Sequence, residues 1–184
     1  MASAFTHAFT GLMAGKIAPG EPRPRKAWLC LVVLPVLPDL DFFMHRMGIP
    51  RESIWNHRGI THSLFFAFLL SLLVKALWFK ELPWGSRKAW NWVGLLFLAI
   101  ASHGFLDAFT DGGSGVAFFA PFSADRYFFP WHVIRVSPLS IGRFFDGRAW
   151  PILQSEFLWV GLPLIAIWGL SRLFRTRSGG KVNP

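Results

Sequence analysis

Four long runs of apolar residues constrain the fold of this chain more than any other feature of its sequence. Each run is close to the ~17–20 residues that an α-helix needs to cross the hydrocarbon core of a bilayer. The runs cover residues 27–43, 63–79, 92–109 and 157–174. A weaker fifth segment, residues 3–19, either spans the bilayer or packs against the other helices. The sequence therefore predicts an all-α fold, a polytopic membrane bundle of about five helices.

The composition also favours a membrane protein with a single domain. Hydrophobic residues make up 53% and charged residues only 16% of the 184 residues, whereas a soluble domain carries roughly 25% charged residues. The one cysteine, Cys30, excludes an intrachain disulfide and a metal site built from cysteines. We expect one membrane-embedded helical domain over residues 1–174 and a disordered cytoplasmic tail over residues 175–184.

The net charge of +9 is compatible with binding to nucleic acid or to an anionic membrane surface. The basic residues lie mainly beside the apolar runs and form no RNA-binding motif, which favours the membrane and argues against a nucleic-acid partner. If the links at residues 19–26 and 80–88 and the C-terminal tail face the cytoplasm, twelve of the 19 basic residues lie on that side. The positive-inside rule then places the C-terminus in the cytoplasm and the N-terminus outside.

This topology brings histidines and aspartates from four separate segments to the extracytoplasmic ends of their helices. They are His7, Asp39, Asp41, His45, His57, His62, His103 and Asp107. Ionisable groups this close to hydrocarbon are costly, and they usually mark a functional site. We therefore predict a metal site on the outer side of the membrane, and we leave His45 and His132 out of it.

Two pairs of these residues lie at the ends of apolar runs. His103 and Asp107 are four residues apart, so both side chains lie on one helical face and can hold the same cation. A simple His–Asp hydrogen bond at the helix end is the alternative.

Asp39 and Asp41 follow Pro38 at the end of the first apolar run. An extended Asp-Leu-Asp would direct both carboxylates to the same side. Two carboxylates this close repel each other unless a proton or cation lies between them. The alternative is a helix that ends at proline with solvated acids.

The segment His57-Arg-Gly-Ile-Thr-His-Ser63 leads into the second apolar run. Gly59 permits a tight turn, so His57 and His62 can bind one metal from two directions, and neutral imidazole is a common zinc ligand. Arg58 suits a phosphate or carboxylate, because its planar guanidinium donates two parallel hydrogen bonds. An exposed interfacial loop is the alternative interpretation of this histidine-rich turn.

An aromatic-rich segment, residues 116–150, lies on the predicted extracytoplasmic side and also contains Arg126, Arg135, Arg143 and Arg148. Aromatic residues interspersed with arginines suit the headgroup zone of a membrane. The same segment could instead cover the helix ends as a lid, or do both.

The chain resembles the YdjM-like family of inner-membrane, metal-dependent hydrolases over residues 1–125. The matching elements are His7, Pro38-Asp-Leu-Asp41, His57-Arg-Gly-Ile-Thr-His-Ser63, Ser102-His-Gly-Phe-Leu-Asp107 with Thr110, and Pro121-Phe-Ser123. The family is distantly similar to zinc-dependent phospholipase C and P1 nuclease, which are all-helical phosphoesterases with multinuclear zinc centres of His and Asp. The resemblance implies a metal-dependent hydrolase, with zinc as the first candidate for the metal.

Together these features predict a multi-pass protein of the cytoplasmic (inner) membrane that hydrolyses a phosphate ester on a phospholipid or lipid-linked substrate at the extracytoplasmic face. The expected metal ligands are His7, Asp39, Asp41, His57, His62, His103 and Asp107. Seven ligands exceed what one tetrahedral ion uses, so we expect two or three Zn²⁺ ions, with Mn²⁺ or Mg²⁺ as alternatives.

In this hypothesis Asp39 or Asp41 accepts the proton of a metal-bound water, and Arg58 holds the substrate anion. The alternative is a non-enzymatic membrane protein that binds metal for cation transport or as part of a structural scaffold.

Overall fold

The structure, a computed structural model, describes residues 1–20, 23–138 and 140–179. Helices dominate it, and the described residues form no β-sheet beyond two isolated bridges. The helices are α1 (Ala4–Ile17), α2 (Arg25–Val33), α3 (Phe42–Arg46), α4 (Leu64–Trp78), α5 (Arg87–Ala108), α6 (Ile141–Phe145), α7 (Ala149–Glu156) and α8 (Leu162–Gly179). The predicted all-α membrane bundle is confirmed.

Three continuous helical stretches are long and apolar enough to cross a membrane: Arg25–Met44, Arg87–Ala108 and Ala149–Thr176. The first contains a 3-10 helix, Leu34–Asp41, between α2 and α3, and the last contains a π-helical segment, Phe157–Gly161, between α7 and α8. All three overlap apolar runs in the sequence, so hydropathy alone located them.

Helices α1 and α4 are shorter than the three spans. They have 14 and 15 residues, or about 21–23 Å at ~1.5 Å per residue, which is less than the ~30 Å of a hydrocarbon core. Helix α4 packs against α5, and α1 packs against α2 and α5. Both short helices therefore lie within the bundle beside longer ones.

The last span differs at both ends from the predicted run at residues 157–174. It begins at Ala149, and α8 continues to Gly179. Residues 175–179 are thus helical, where we expected the start of a disordered tail. The rest of that predicted tail, residues 180–184, lies outside the described residues.

Serine side chains cap the first turns of three helices. The Ser63 hydroxyl accepts a hydrogen bond from the N–H of Phe66 at 3.1 Å, and Ser3 and Ser86 cap α1 and α5 in the same way. Such a cap satisfies one of the N–H groups that the first helical turn leaves unpaired. Because Ser63 caps α4, His62 lies directly before the first turn of this helix.

Helix α1 packs closely against α2 through two glycines. A Cβ atom on Gly11 would lie 1.9 Å from the carbonyl oxygen of Leu31, and one on Gly15 would lie 2.7 Å from the ring of Trp28. Small residues four positions apart let helix backbones approach each other closely in membranes. This approach places α1, and His7 with it, against the rest of the bundle.

The prolines of the first span change how the two neighbouring aspartates are directed. Pro35 and Pro38 lack the N–H of a regular helix, and the chain follows a tighter 3-10 helix over Leu34–Asp41 instead of becoming extended. With about three residues per turn, positions two apart lie on different sides. Asp39 and Asp41 therefore diverge, and the interpretation of this segment as extended is wrong.

The aromatic-rich segment covers the end of α5 and also exposes rings. Thr110 pairs with Ile134, and Val116 pairs with Tyr127, in the two isolated bridges. Ile134 and Val116 are buried, whereas Trp131 is 70% exposed. The segment therefore covers the helix ends as considered, whereas contact of its exposed rings with the headgroup zone stays a prediction.

Candidate metal centre

Four helical segments meet at one end of the bundle, where α1 and α4 begin and the Leu34–Asp41 segment and α5 end. All seven predicted ligands lie there in one continuous cluster of contacts: His7, Asp39, Asp41, His57, His62, His103 and Asp107. Six of them are buried, and only His57 is partly exposed. Whether the cluster binds a metal stays a prediction.

Four of these side chains converge most closely. The Nε2 atom of His103 lies 2.9 Å from Nε2 of His62 and 3.3 Å from Oδ1 of Asp39. Nε2 of His62 lies 3.6 Å from Oδ2 of Asp107. One ligand atom from each residue falls within 4.8 Å of all the others. Two imidazole nitrogens and two carboxylate oxygens are thus available to a single cation.

Hydrogen bonds outside this group decide which nitrogen of each histidine faces inward. The carbonyl oxygen of Pro35, 2.7 Å from Nδ1 of His103, can only accept, so Nδ1 carries the proton and Nε2 keeps its lone pair. Nδ1 of His62 lies 3.2 Å from Oδ2 of Asp41, which is also an acceptor. Metal-binding histidines are commonly oriented by such partners. Two inward nitrogens 2.9 Å apart therefore need a proton or a metal cation between them.

Asp41 organises a second group with His57 and His62. Its Oδ1 lies 2.6 Å from Nδ1 of His57, and its Oδ2 accepts from the backbone N–H of Arg58 at 3.2 Å and from the hydroxyl of Thr61. The two groups share His62, which faces Asp39 and Asp107 with Nε2 and Asp41 with Nδ1.

His7 and Asp39 have buried polar atoms that lack hydrogen-bond partners. Both ring nitrogens of His7 and both carboxylate oxygens of Asp39 are of this kind among the described residues. The His7 ring stacks on the His103 ring at 3.7 Å between centroids, with its Nε2 3.5 Å from Oδ1 of Asp107. Buried polar groups are nearly always paired, so these atoms suit a bound cation.

The charge states of His57 and His62, which both precede α4, differ. Burial alone would lower the pKa of His62, but the carboxylates of Asp41 and Asp107 raise it to about 9. Without a metal, His62 therefore carries a proton at neutral pH. Burial lowers the pKa of His57, although the hydrogen bond to Asp41 acts in the opposite direction. His57 is therefore uncharged at neutral pH.

Arg58 is buried and held by acceptors within the protein. It donates from Nε to Oδ2 of Asp107 at 3.1 Å, from one terminal nitrogen to the carbonyl oxygen of Gly112 at 2.8 Å, and from the other to the Thr110 hydroxyl at 2.8 Å. Its φ of +65° is left-handed, and a Cβ on Gly113 would lie 2.4 Å from its guanidinium. Three of its five N–H groups are thus used in fixing Asp107 and the following turn.

The model of the YdjM inner membrane protein family matches residues 1–178. The chain belongs to this family. It is also 34% identical over 175 residues to the inner membrane protein YbcI of Escherichia coli (strain K12), across 92% of this chain and 96% of that protein. No solved structure matches the chain.

Membership of the YdjM family extends beyond the residues that carried the resemblance in the sequence, since it also covers the aromatic-rich segment and most of α8. With three helices able to span the bilayer, the chain is a multi-pass inner membrane protein. The similarity of the family to phospholipase C and P1 nuclease stays a prediction.

A buried glutamate in this YdjM family member was missed by the sequence analysis. Glu156, at the end of α7, accepts hydrogen bonds from the hydroxyls of Ser3 at 2.6 Å and Thr6 at 2.8 Å, and from the backbone N–H of Ser3. The N–H of Ala2 donates to Oδ1 of Asp107 at 2.7 Å. These bonds tie the start of α1 to the last span and to the cluster. A lone acid beside an apolar run was the sequence signal that could have revealed Glu156.

Arg126 was noted only as part of the aromatic-rich segment, yet it joins the loops around the cluster. Its guanidinium donates to the backbone carbonyls of His57 at 3.1 Å and Ser53 at 3.0 Å, and to the Ser114 hydroxyl at 3.2 Å. His132 is exposed and lies outside the cluster, as expected.

Proposed function

We propose that this protein is a metal-dependent hydrolase that cleaves a phosphate ester on a membrane lipid or lipid-linked molecule. The observation that carries the proposal is the buried group of Asp39, His62, His103 and Asp107, whose ligand atoms lie within 4.8 Å of one another. Two nitrogens and two oxygens match the number and type of ligands that Zn²⁺ takes in proteins. The unpartnered oxygens of Asp39 support the same conclusion.

The geometry supports one ion better than two or three. The second group uses His62 again, and Nδ1 of His62 already faces Oδ2 of Asp41. An ion in this second group would have to displace the proton on Nδ1 of His62, while Nε2 of the same ring serves the first group. We therefore assign one ion to the first group and leave Asp41 and His57 to handle protons.

Four protein ligands fill a tetrahedral site, so a divalent ion in the first group would have to take a fifth ligand, or release one of the four, to hold a water. It would then polarise a phosphoryl oxygen and make that water acidic enough to attack near neutral pH. The chain itself must then accept the proton of that water. Asp41 already accepts from His57, Thr61 and the N–H of Arg58, which suits it to orienting His57. Nε2 of His57 has no partner among the described residues, so His57 is the better proton acceptor.

The distribution of basic residues supports an extracytoplasmic reaction. If the C-terminus lies inside, as the positive-inside rule predicts, the basic links at residues 19–26 and 80–88 face the cytoplasm and the cluster lies at the other end of the bundle. A green fluorescent protein fused to the C-terminus should then fluoresce in intact cells. A dark fusion, together with an active periplasmic alkaline phosphatase fusion at the same position, would reverse the orientation.

The test is an assay of the purified protein for bound metal and for release of the phosphorylated headgroup from phospholipid vesicles. Asp39→Asn keeps the size of the side chain but removes a charged ligand, so we expect at least about a 100-fold loss of activity, the upper range seen when even an outer-shell partner of a metal is lost. Asp125→Asn is the matched control, because Asp125 is exposed and bonded only locally.

Full activity in a folded His62→Ala, Asp107→Ala double variant would refute the mechanism. A structural metal is the second candidate function, and the near-complete burial of the four ligands favours it. That alternative predicts tightly bound metal whose removal lowers the melting temperature, with no hydrolysis under any condition.

A further inference from the structure

A cavity of about 380 Å³ opens beside the cluster. Three arginines, Arg51, Arg58 and Arg148, line it, and no Asp or Glu is among the described residues of its wall. Arg51 and Arg148 are exposed, and neither has an ion-pair partner in the part of the chain that the structure describes. Asp107 neutralises Arg58, so the positive charge of the cavity comes from Arg51 and Arg148.

His57 connects this cavity to the cluster. His57 lines the cavity wall, while its Nδ1 lies 2.6 Å from Asp41. The side chain of His57 is 15% exposed, against 9% for Asp39, 3% for Asp41 and none for His62. The most exposed of the predicted ligands is thus the one on the side where the arginines lie.

Hydrogen bonds within the wall keep the cavity open in one shape. Arg126 joins the loop of Ser53 and His57 to Ser114, and Arg58 binds the carbonyl oxygen of Gly112. The backbone of the wall is therefore held in place before an anion enters, and only the exposed side chains of Arg51 and Arg148 remain to be ordered on binding.

We propose that this cavity binds the anionic phosphate group of a ligand, with Arg51 and Arg148 as its charged contacts. The inference rests on the proposed function, because it assigns the charged part of the substrate to a particular place. Guanidinium groups recognise phosphate through paired, charge-assisted hydrogen bonds. A volume near the lower end of the ~300–1,000 Å³ typical of ligand pockets suits a headgroup and excludes a whole lipid.

A second feature bears on whether the phosphate comes from a lipid. An apolar groove of about 620 Å³ lies against the spans Arg87–Ala108 and Ala149–Thr176. It is lined in part by Phe105, Trp131, Trp159 and Leu164. Ile134 lines this groove, and Val136, two residues further along the same extended segment, lines the cavity. An acyl chain in the groove would thus lie close to a headgroup in the cavity.

The experiment is titration of the full-length protein in detergent with inorganic phosphate, before and after removal of metal by EDTA. We expect binding to persist after EDTA and to weaken about tenfold or more in Arg51→Ala, Arg148→Ala, since two charge-assisted contacts are lost. The control is Arg135→Ala, Arg143→Ala, which removes the same charge from exposed positions outside the cavity and should change the affinity less than about twofold. Arg51→Lys, Arg148→Lys should lose less affinity than the alanine pair.

The proposal is overturned if EDTA abolishes phosphate binding, because the anion then sits on the metal, or if both alanine pairs weaken binding equally. Competition distinguishes the two sources. Displacement of phosphate by phosphatidate in mixed micelles, but not by phosphatidylcholine, identifies a lipid headgroup, whereas no displacement identifies free phosphate. None of these measurements needs turnover, so an arginine-dependent phosphate site in a protein without hydrolase activity would sink the proposed function alone.

Discussion

His62 and His103 face each other through Nε2 atoms 2.9 Å apart, at a position where both rings are buried. Each ring turns its Nδ1 toward an acceptor, Asp41 for His62 and the Pro35 carbonyl for His103. The two inward lone pairs can share a proton or a metal cation, and they repel each other without one. The contact between α5 and the start of α4 therefore depends on a proton or a metal ion between the two rings.

Replacing His103 should remove the metal. In His103→Gln we expect bound metal to fall from about one ion per chain to a small fraction, because a tetrahedral site loses one of its four ligands. Elemental analysis of the purified protein measures this directly. His132→Gln is the control, since His132 is exposed and belongs to neither of the two ligand groups. A folded His103→Gln protein with a full complement of metal would contradict the assignment.

Metal affinity should depend on pH. In the metal-free protein the pKa of His62 is raised to about 9, so below that pH a metal must displace a proton from the ring. The apparent Kd should therefore rise as the pH falls, by about tenfold per pH unit for each proton displaced. Competition with a chelator of known pH dependence, between about pH 6 and pH 9, measures the slope. A flat profile would mean that His62 is not a ligand.

Replacing Arg58 should destabilise the fold itself, even in protein without a bound ligand. Arg58→Ala leaves the buried carboxylate of Asp107 without its charged partner. Breaking a buried ion pair from one side costs about 3–5 kcal/mol, which corresponds to roughly 6–20 °C in Tm for a chain of this size. Thermal unfolding of the metal-free protein in detergent measures the shift.

Arg58→Lys should recover little of that stability, because an ammonium cannot replace a planar fork that reaches three separate acceptors. The exposed Arg135→Ala provides the baseline for losing one positive charge. If Arg58→Ala and Arg135→Ala had the same Tm, Arg58 would be free to serve mainly as the substrate ligand that the sequence suggested.

A single methyl group at Gly11 should disturb the packing of α1. In Gly11→Ala the new Cβ would lie 1.9 Å from the carbonyl oxygen of Leu31, so α1 must move, at a cost of about 1–3 kcal/mol for overpacking. Because α1 carries His7, whose ring stacks on the proposed ligand His103, metal affinity should fall together with Tm. Gly94→Ala is the matched control in α5, where nothing lies within 4 Å of the added atom. That change should leave the free energy of unfolding unchanged or raise it by up to ~1 kcal/mol through helix propensity. Equal losses of stability in both variants would contradict close α1–α2 packing.

The membrane-spanning helices could be predicted because hydropathy is a property of consecutive residues. The predicted runs at residues 27–43 and 92–109 correspond to the spans Arg25–Met44 and Arg87–Ala108, since twenty or so apolar residues in lipid have few alternatives to a helix. The ends were less predictable. Helix α8 continues past residue 174 to Gly179. Its last residues are polar, so the hydropathy pattern does not reveal that they are helical.

The residues of the candidate site could be named for a related reason. Histidines and aspartates at the ends of apolar runs are rare and costly, and alternating helix directions bring alternate ends to one side of a bundle. That reasoning assembled His7, Asp41 and His103 from distant parts of the chain, and the structure places them in one cluster. The same reasoning could have named Glu156, which directly precedes the last apolar run, but its partners Ser3 and Thr6 are known only from the folded chain.

The sequence by itself determined which segments enter the membrane and which ionisable residues collect at one end of it, because both follow from the cost of placing each residue type in hydrocarbon. Only the tertiary structure decided what each of those residues does. The 3-10 turn sends Asp39 to His103 and Asp41 to His57, and the left-handed backbone at Arg58 turns its guanidinium toward Asp107. Side-chain direction depends on backbone angles and on contacts between distant segments, and neither is encoded in the local pattern of residue types.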